Sequence, residues 1–402
     1  MDQPAGRSGP SGPVGRRLVV SAGLLAAGSA GGLAAGSAGG LAAGSAPAVP
    51  QQGARPGPIA VDIARIGLAP VEAFRGTGDD DDAAFGAALA YAGAQTYPPP
   101  VVFANRRYRL TRRVRPFSGV HLLSFGLGDE FHREEAVRVP AGGLFAFDRA
   151  VQGITLENLS VVATDHLLEP IAGDDSQGSW RDLRILGGGY TGGTTLLAGT
   201  FLRLDLQPRY VNALSDSLLS GGGSDSWMFT GGQHYVSGTL AADRPFLDLA
   251  HFSQTTVGHP YITAQGGYAV RISGGNNGLV LDGLICDATN RSGALATQQA
   301  GLQITGGSDI TVRDLDVFNA NVAGTSAALV TVTGGDDIVF YSPRFRADKG
   351  PWVQANAGTP CIHTTVPITV IAPKGNRVRT ITASDPALVT LVGAPGWTVQ
   401  RA

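Results

Sequence analysis

One pattern governs what this chain can fold into. Residues 269–277 read AVRISGGNN, 301–309 read GLQITGGSD and 329–337 read LVTVTGGDD. A second alternating apolar run follows each: Leu279-Val280-Leu281, Ile310-Thr311-Val312 and Ile338-Val339-Phe340. The Gly-Gly pairs stand 32 and 28 residues apart. Alternation of period two is the signature of a strand with one buried face. A glycine pair marks a tight turn. Strand, turn, strand and return loop, repeated at this period, make one unit of a solenoid that buries its inward side chains only against its neighbours.

Composition agrees. Gly is 58 and Pro 24 of 402 residues, and charged residues are 15%, well under the usual quarter. Such a chain is not a coiled coil or helical bundle. A net charge of −2 is not suited to neutralising phosphates, so nucleic acid is not the expected partner. The 43% apolar share supports a packed core rather than disorder.

The first 48 residues read as an export signal. Arg16-Arg17 precede Leu18-Val19-Val20, and no charge occurs from Leu18 to Ala54. That arrangement resembles a twin-arginine signal, with Gly15 where Ser or Thr is usual. The apolar stretch repeats LAAGSAGG at 25–32 and 33–40 and LAAGSAPA at 41–48, too rich in Ala, Gly and Ser for a stable membrane span. A linker at 49–75 and a solenoid domain at 76–402 complete the expected organisation, with secretion as the expected destination.

Residues 76–94, GTGDDDDAAFGAALAYAGA, predict a short helix with Asp79–Asp82 at its start. Carboxylates there cap free N–H groups and favour the helix dipole, which explains them better than a metal site. Phe85, Leu89 and Ala92 share one face. Six arginines follow among Tyr108, Leu110 and Val114, and their alternation predicts a solvated strand face rather than a groove for acidic glycan.

The acidic helix, then VVF, then YRL, then repeating units to about 399, resembles the pectate-lyase-like superfamily of single-stranded right-handed parallel β-helices. Asn105-Arg106-Arg107 stands where members usually carry Pro-Gly. The resemblance implies an all-β, right-handed parallel β-helix with a short N-terminal capping helix. The fold hosts many activities, so function must come from residues. Units stacked at about 4.8 Å place Cys286 and Cys361, 75 residues apart, some 10 Å or more from each other. A disulfide needs less than about 7 Å, so both are expected reduced.

Glycoside cleavage needs an acid and a carboxylate. Asp336-Asp337 resembles the paired aspartates of polygalacturonases, but the repeat aligns it with Asn276-Asn277 and Ser308-Asp309, a turn. The richest stretch is 210–239, YVNALSDSLLSGGGSDSWMFTGGQHYVSGT. Asp216 and Asp225 are the candidate acid/base or nucleophile, with His259 and Arg271 in support. Trp227 is a candidate platform for a sugar ring, and His234, Asp248 and His251 are candidate substrate contacts. Ser215-Asp216, Ser224-Asp225, Gly258-His259-Pro260 and Arg271-Ile272-Ser273 resemble polygalacturonase motifs in order, each incomplete. Residues 124–133 and 211–232 resemble inulin fructotransferases, with Asp216 matching the catalytic Asp and the Glu position falling near Met228.

The expectation is therefore a secreted carbohydrate-active enzyme cleaving a fructan- or uronan-type polysaccharide, without metal or cofactor. The rivals are a non-catalytic glycan-binding or adhesion solenoid and a tailoring enzyme for a small molecule. The expected partner is a polysaccharide or oligosaccharide, with a homotrimer left open as the assembly.

Overall fold

A computed structural model describes residues 67–76, 80–104, 106–125, 137–146, 151–168, 180–193, 195–198, 201–212, 216–220, 224–225, 228–230, 233–236, 244–264, 268–287, 301–318, 328–346, 360–375 and 379–402. The export signal and most of the linker lie outside these residues. So do Asp79 and Trp227.

Nearly all regular structure is parallel strand. Among the described residues one sheet has 21 strands and a second has 11. The chain visits them alternately: Tyr268–Ile272 and Asn277–Asp282 lie in the long sheet, Ile285–Asp287 in the short one, and the chain then returns to the long sheet at Leu302–Arg313. The architecture is all-β with large parallel sheets, compatible with a parallel β-helix.

The register shows where the core lies. Ala69, Val101, Leu122, Leu156, Ile185, Leu206, Phe229, Val257, Leu281, Val312, Phe340, Val370 and Leu391 follow one another as direct partners. All but Leu391 are buried. The short sheet has its own column: Tyr108, Val137, Val161, Tyr190, Val211, His234, Ile262, Cys286, Val317, Phe345 and Gly375. Each buried aliphatic member is worth roughly 1.5–3 kcal/mol. The columns account for the sequence alternation, because every second residue of a strand must meet its counterparts above and below.

Corners are single residues in the left-handed region. One corner column runs through Asn158, Gly187, His259, Gly283, Asp314, Ser342, Ala372 and Gly393, with φ between 46° and 64°. From Asn158 to Ala372 each of these N–H groups donates to a carbonyl on the next rung, as His259 does to Asp282 and Gly283 to Arg313. Asx, His and Gly tolerate this φ better than branched residues.

The other bend is where the sequence places its Gly-Gly turns, and Asp309 and Asp337 do sit there at φ 52° and 51°. Its alignment differs by one residue from the expectation: Ser308, the partner of Asp336, pairs with Asn277, not Asn276. Asn276 turns inward instead. It is buried, accepts from the Phe252 N–H at 2.9 Å and donates to the Leu249 carbonyl at 2.7 Å and to that of Ser273. An extra residue in that copy makes room for this clamp.

The N-terminal end is covered by α1 (Asp81–Gly93), which buries Ala84, Phe85, Ala88, Leu89 and Ala92. Asp80 is the N-cap and accepts from the Ala83 N–H at 3.0 Å. Asp81 and Asp82 have other duties. Asp81 accepts from Arg75, from Arg106 at 2.6 Å and from the Arg109 N–H at 2.7 Å. Asp82 ties the Thr111 and Arg112 N–H groups. Glu72 takes the Nε atoms of Arg75 and Arg106, and Arg106 lies over the Tyr108 ring at 4.1 Å. Two carboxylates thus weld the helix to the first strands.

Candidate functional site

The chemistry must lie on the outward positions, since inward ones are apolar. On the first strands of the long sheet these form one polar row: Asp248, Arg271, Gln303, Thr331, His363, Thr382 and Gln400 are successive register partners. Their neighbours in the strands, such as Leu247 and Leu249, Val270 and Ile272, or Leu302 and Ile304, are fully buried on the other face. Rungs about 4.8 Å apart repeat on the scale of one sugar unit. Side chains join the row at two steps. Arg271 grips Asp248 bidentately, Nε to Oδ1 at 2.9 Å and Nη2 to Oδ2. His363 Nδ1 lies 3.1 Å from Thr382 Oγ1.

Of the candidates named from sequence, the structure brings together Asp248 and Arg271. It does not bring Asp216 and Asp225 together. Asp216 accepts from the Ser217 N–H at 2.7 Å and meets Arg244 at 3.6 Å. The Ser217 hydroxyl donates to the Pro245 carbonyl, so Asp216 stands beside the start of the strand Pro245–Leu249. Asp225 is paired with Ser253, beyond the far end of that strand.

The histidines take other positions. His251 and His259 are corner residues at φ 61° and 51°. Each ring lies over the glycine of the next rung: a Cβ on Gly275 would stand 2.2 Å from His251 Nδ1, and one on Gly283 would stand 2.1 Å from His259 Nδ1. His234 holds a register position between Val211 and Ile262, both fully buried.

Sequence reasoning missed two sets of residues. The first is the continuation of the row through Gln303, Thr331 and His363. The second is the outward face of the short sheet: Tyr261, Thr263, Asp287, Asp316, Arg344, Arg346 and Lys374. In both, the signal is the repeat itself, read at the outward positions flanking each core residue. After the corners at Asn158, His259, Gly283, Asp314, Ser342 and Ala372 the chain reads Pro or Leu and then alternates, as in Pro260-Tyr261-Ile262-Thr263 and Pro343-Arg344-Phe345-Arg346.

Both cysteines are free and buried. Burial raises the Cys286 thiol, with the carboxylates of Asp316 and Asp287 adding to the shift. Burial pushes the Cys361 thiol up to about 12. Neither is a nucleophile at neutral pH. Burial, and then the hydrogen bond with Glu72, also raises the Tyr108 hydroxyl. Among the described residues no helix is long and apolar enough to cross a membrane. Compared with known protein families, curated proteins and solved structures, the chain matches none.

Proposed function

We propose that this chain is a right-handed parallel β-helix of the pectate-lyase-like kind, exported from the cell, whose function is to hold a polysaccharide along the outer face of its stacked strands. The observation that carries the reading is the polar row from Asp248 to Gln400, exposed or half-buried at every step except Thr331, which is buried. It offers a guanidinium, an amide, hydroxyls and an imidazole at regular steps, the donor and acceptor set that sugar hydroxyls require. A fructan or a uronan fits such a row, and Arg271 gives the uronan an added ionic contact.

Cleavage of the bound chain is the second reading, favoured by one feature: Asp248 is a carboxylate oriented by a bidentate guanidinium on that row. Two-carboxylate hydrolysis needs a second acid nearby, and among the described residues the row supplies none. A lyase would need one group to remove the proton and another to neutralise the uronate, and Arg271 serves one of these roles at a time.

The deciding experiment incubates the full chain with inulin, levan, polygalacturonate and alginate. Binding is read by affinity electrophoresis, hydrolysis by new reducing ends and elimination by absorbance of the unsaturated product. Binding that Arg271→Gln weakens about tenfold, without product, supports the holding role. Product that Asp248→Asn abolishes establishes cleavage. Absence of both binding and product overturns the reading.

A further inference from the structure

The long sheet has a second outward face, on the strands beyond its Gly-Gly bend, and the charge on that face ends partway along. Its first rungs carry His121, Glu157, Arg184 and Asp205. Met228 is the direct partner of Asp205. From there two outward columns flank the core column. Met228, Thr256, Val280, Thr311, Val339 and Thr369 are successive partners in one. Thr230, Gly258, Asp282, Arg313, Tyr341 and Ile371 are successive partners in the other. Asp282 and Arg313 are the only charges in these two columns.

Two of these strands are apolar on both faces but for one threonine. Ile338-Val339-Phe340-Tyr341 and Ile368-Thr369-Val370-Ile371 each bury their first and third residues in the core. Their second and fourth residues point outward, and three of those four are apolar. A solvated face should alternate to polar residues, whereas strands covered on both sides read as continuous apolar runs. Yet Met228 is 47% and Tyr341 42% exposed. The face is suited to contact and is open among the described residues.

We infer that this face docks a second copy of the chain, in a two-fold dimer with the two strand stacks antiparallel. The charges select the partner. Asp282 and Arg313 are register partners of opposite sign on adjacent rungs, and among the described residues neither makes an ion pair. A two-fold axis lying along the strands, between these two rungs, reverses the order of rungs and preserves position along each strand. It sets Asp282 against Arg313 of the second copy and Arg313 against its Asp282. Neutral positions then meet neutral positions, with Tyr341 against the rung of Gly258 and Ile371 against that of Thr230. Such an isologous contact closes on itself and stops at two chains. Six rungs span roughly 24 Å, a strip at the low end of specific interfaces, so association in the micromolar range is expected. The contact uses no residue of the polar row and needs no saccharide, so it stands or falls apart from the proposed function.

The test is sedimentation velocity of the full chain across the micromolar range, without saccharide. A monomer–dimer equilibrium is expected. Tyr341→Arg is expected to weaken the dimer about tenfold or more, with the fold unchanged by circular dichroism. Asp282→Arg and Arg313→Asp, each alone, set like charges against each other across the axis and are expected to leave monomers. An equimolar mixture of these two variants is expected to dimerise again, because opposite charges then meet at both contacts. Each chain of the mixture still carries like charges on its own two rungs, so a role confined to one chain cannot give this rescue. The proposal is overturned by a chain that stays monomeric throughout the range, by a trimer, by a dimer that survives Tyr341→Arg, or by a mixture of the two charge variants that stays monomeric.

Discussion

Two regions of this protein mix aspartate with arginine, and they differ in how completely the charges are matched. Beneath α1, Asp81 takes two guanidinium contacts and a backbone N–H, while Glu72 takes the Nε atoms of the same two arginines. On the short sheet, Asp316 is held by Arg346, but Arg344 stands off at 3.7 Å and the Thr263 hydroxyl nearby lacks a partner among the described residues. Like residue types serve structure where donors and acceptors balance. On the short sheet they balance less completely: Arg344 keeps half of its side chain exposed, and the Thr263 hydroxyl is buried.

The comparison can be broken by removing the central acid of each cluster. Asp81→Ala leaves two guanidinium groups facing each other under the helix, and the expected cost is about 3–5 kcal/mol, read from urea unfolding. A loss under about 1 kcal/mol would mean the cap is a solvated surface network. Asp316→Ala removes a better-solvated set and should cost less, about 1.5–3 kcal/mol. If its cost equals or exceeds that of Asp81→Ala, the distinction between sealed and open clusters fails.

A smaller effect tests the corners against both clusters. Gly283→Ala forces a side chain to φ 64° and into His259 Nδ1, which should cost about 1–3 kcal/mol. In a His259→Ala background the steric part should vanish and only the backbone part remain. Equal costs in both backgrounds would show that the ring does not rest on that glycine.

The smallest effect is in pH. Both thiols are raised above their unfolded value of about 8.5. The unfolded chain therefore releases these protons first, so stability is fully present below about pH 8.5. It falls as pH rises toward about 12, where Cys361 ionises in the folded state. A thiol reagent at pH 8 should label neither cysteine until urea unfolds the chain. Asp316→Ala should lower the Cys286 thiol and leave Cys361 unchanged, because Cys286 alone has that carboxylate among the causes of its shift.

The fold was legible because a stacked architecture writes its period into the chain. The alternation around Val270, Leu302 and Val330 could satisfy no other neighbour than its own next copy, and these residues pair directly. The turn at Asp336-Asp337 was legible for the same reason. The site was much less legible. Asp216 and Asp225 are close in sequence, and motif order suggested a pair, yet a strand lies between them. His259, a candidate supporting group, and His251, a candidate substrate contact, both occupy left-handed corners, a place that no motif in the sequence marks.

The sequence by itself determined the strand period, the inward residues, the capping helix and the turns, since these depend on contacts between neighbouring units and on local backbone preference. Only the tertiary structure decided which outward residues share a row. Lateral register between rungs depends on loop lengths that vary from unit to unit, and one inserted residue, as at Asn276, shifts every partner beyond it. That is why Asp248 meets its register partner Arg271, while Asp316 is held by Arg346, two residues along from its own register partner Arg344.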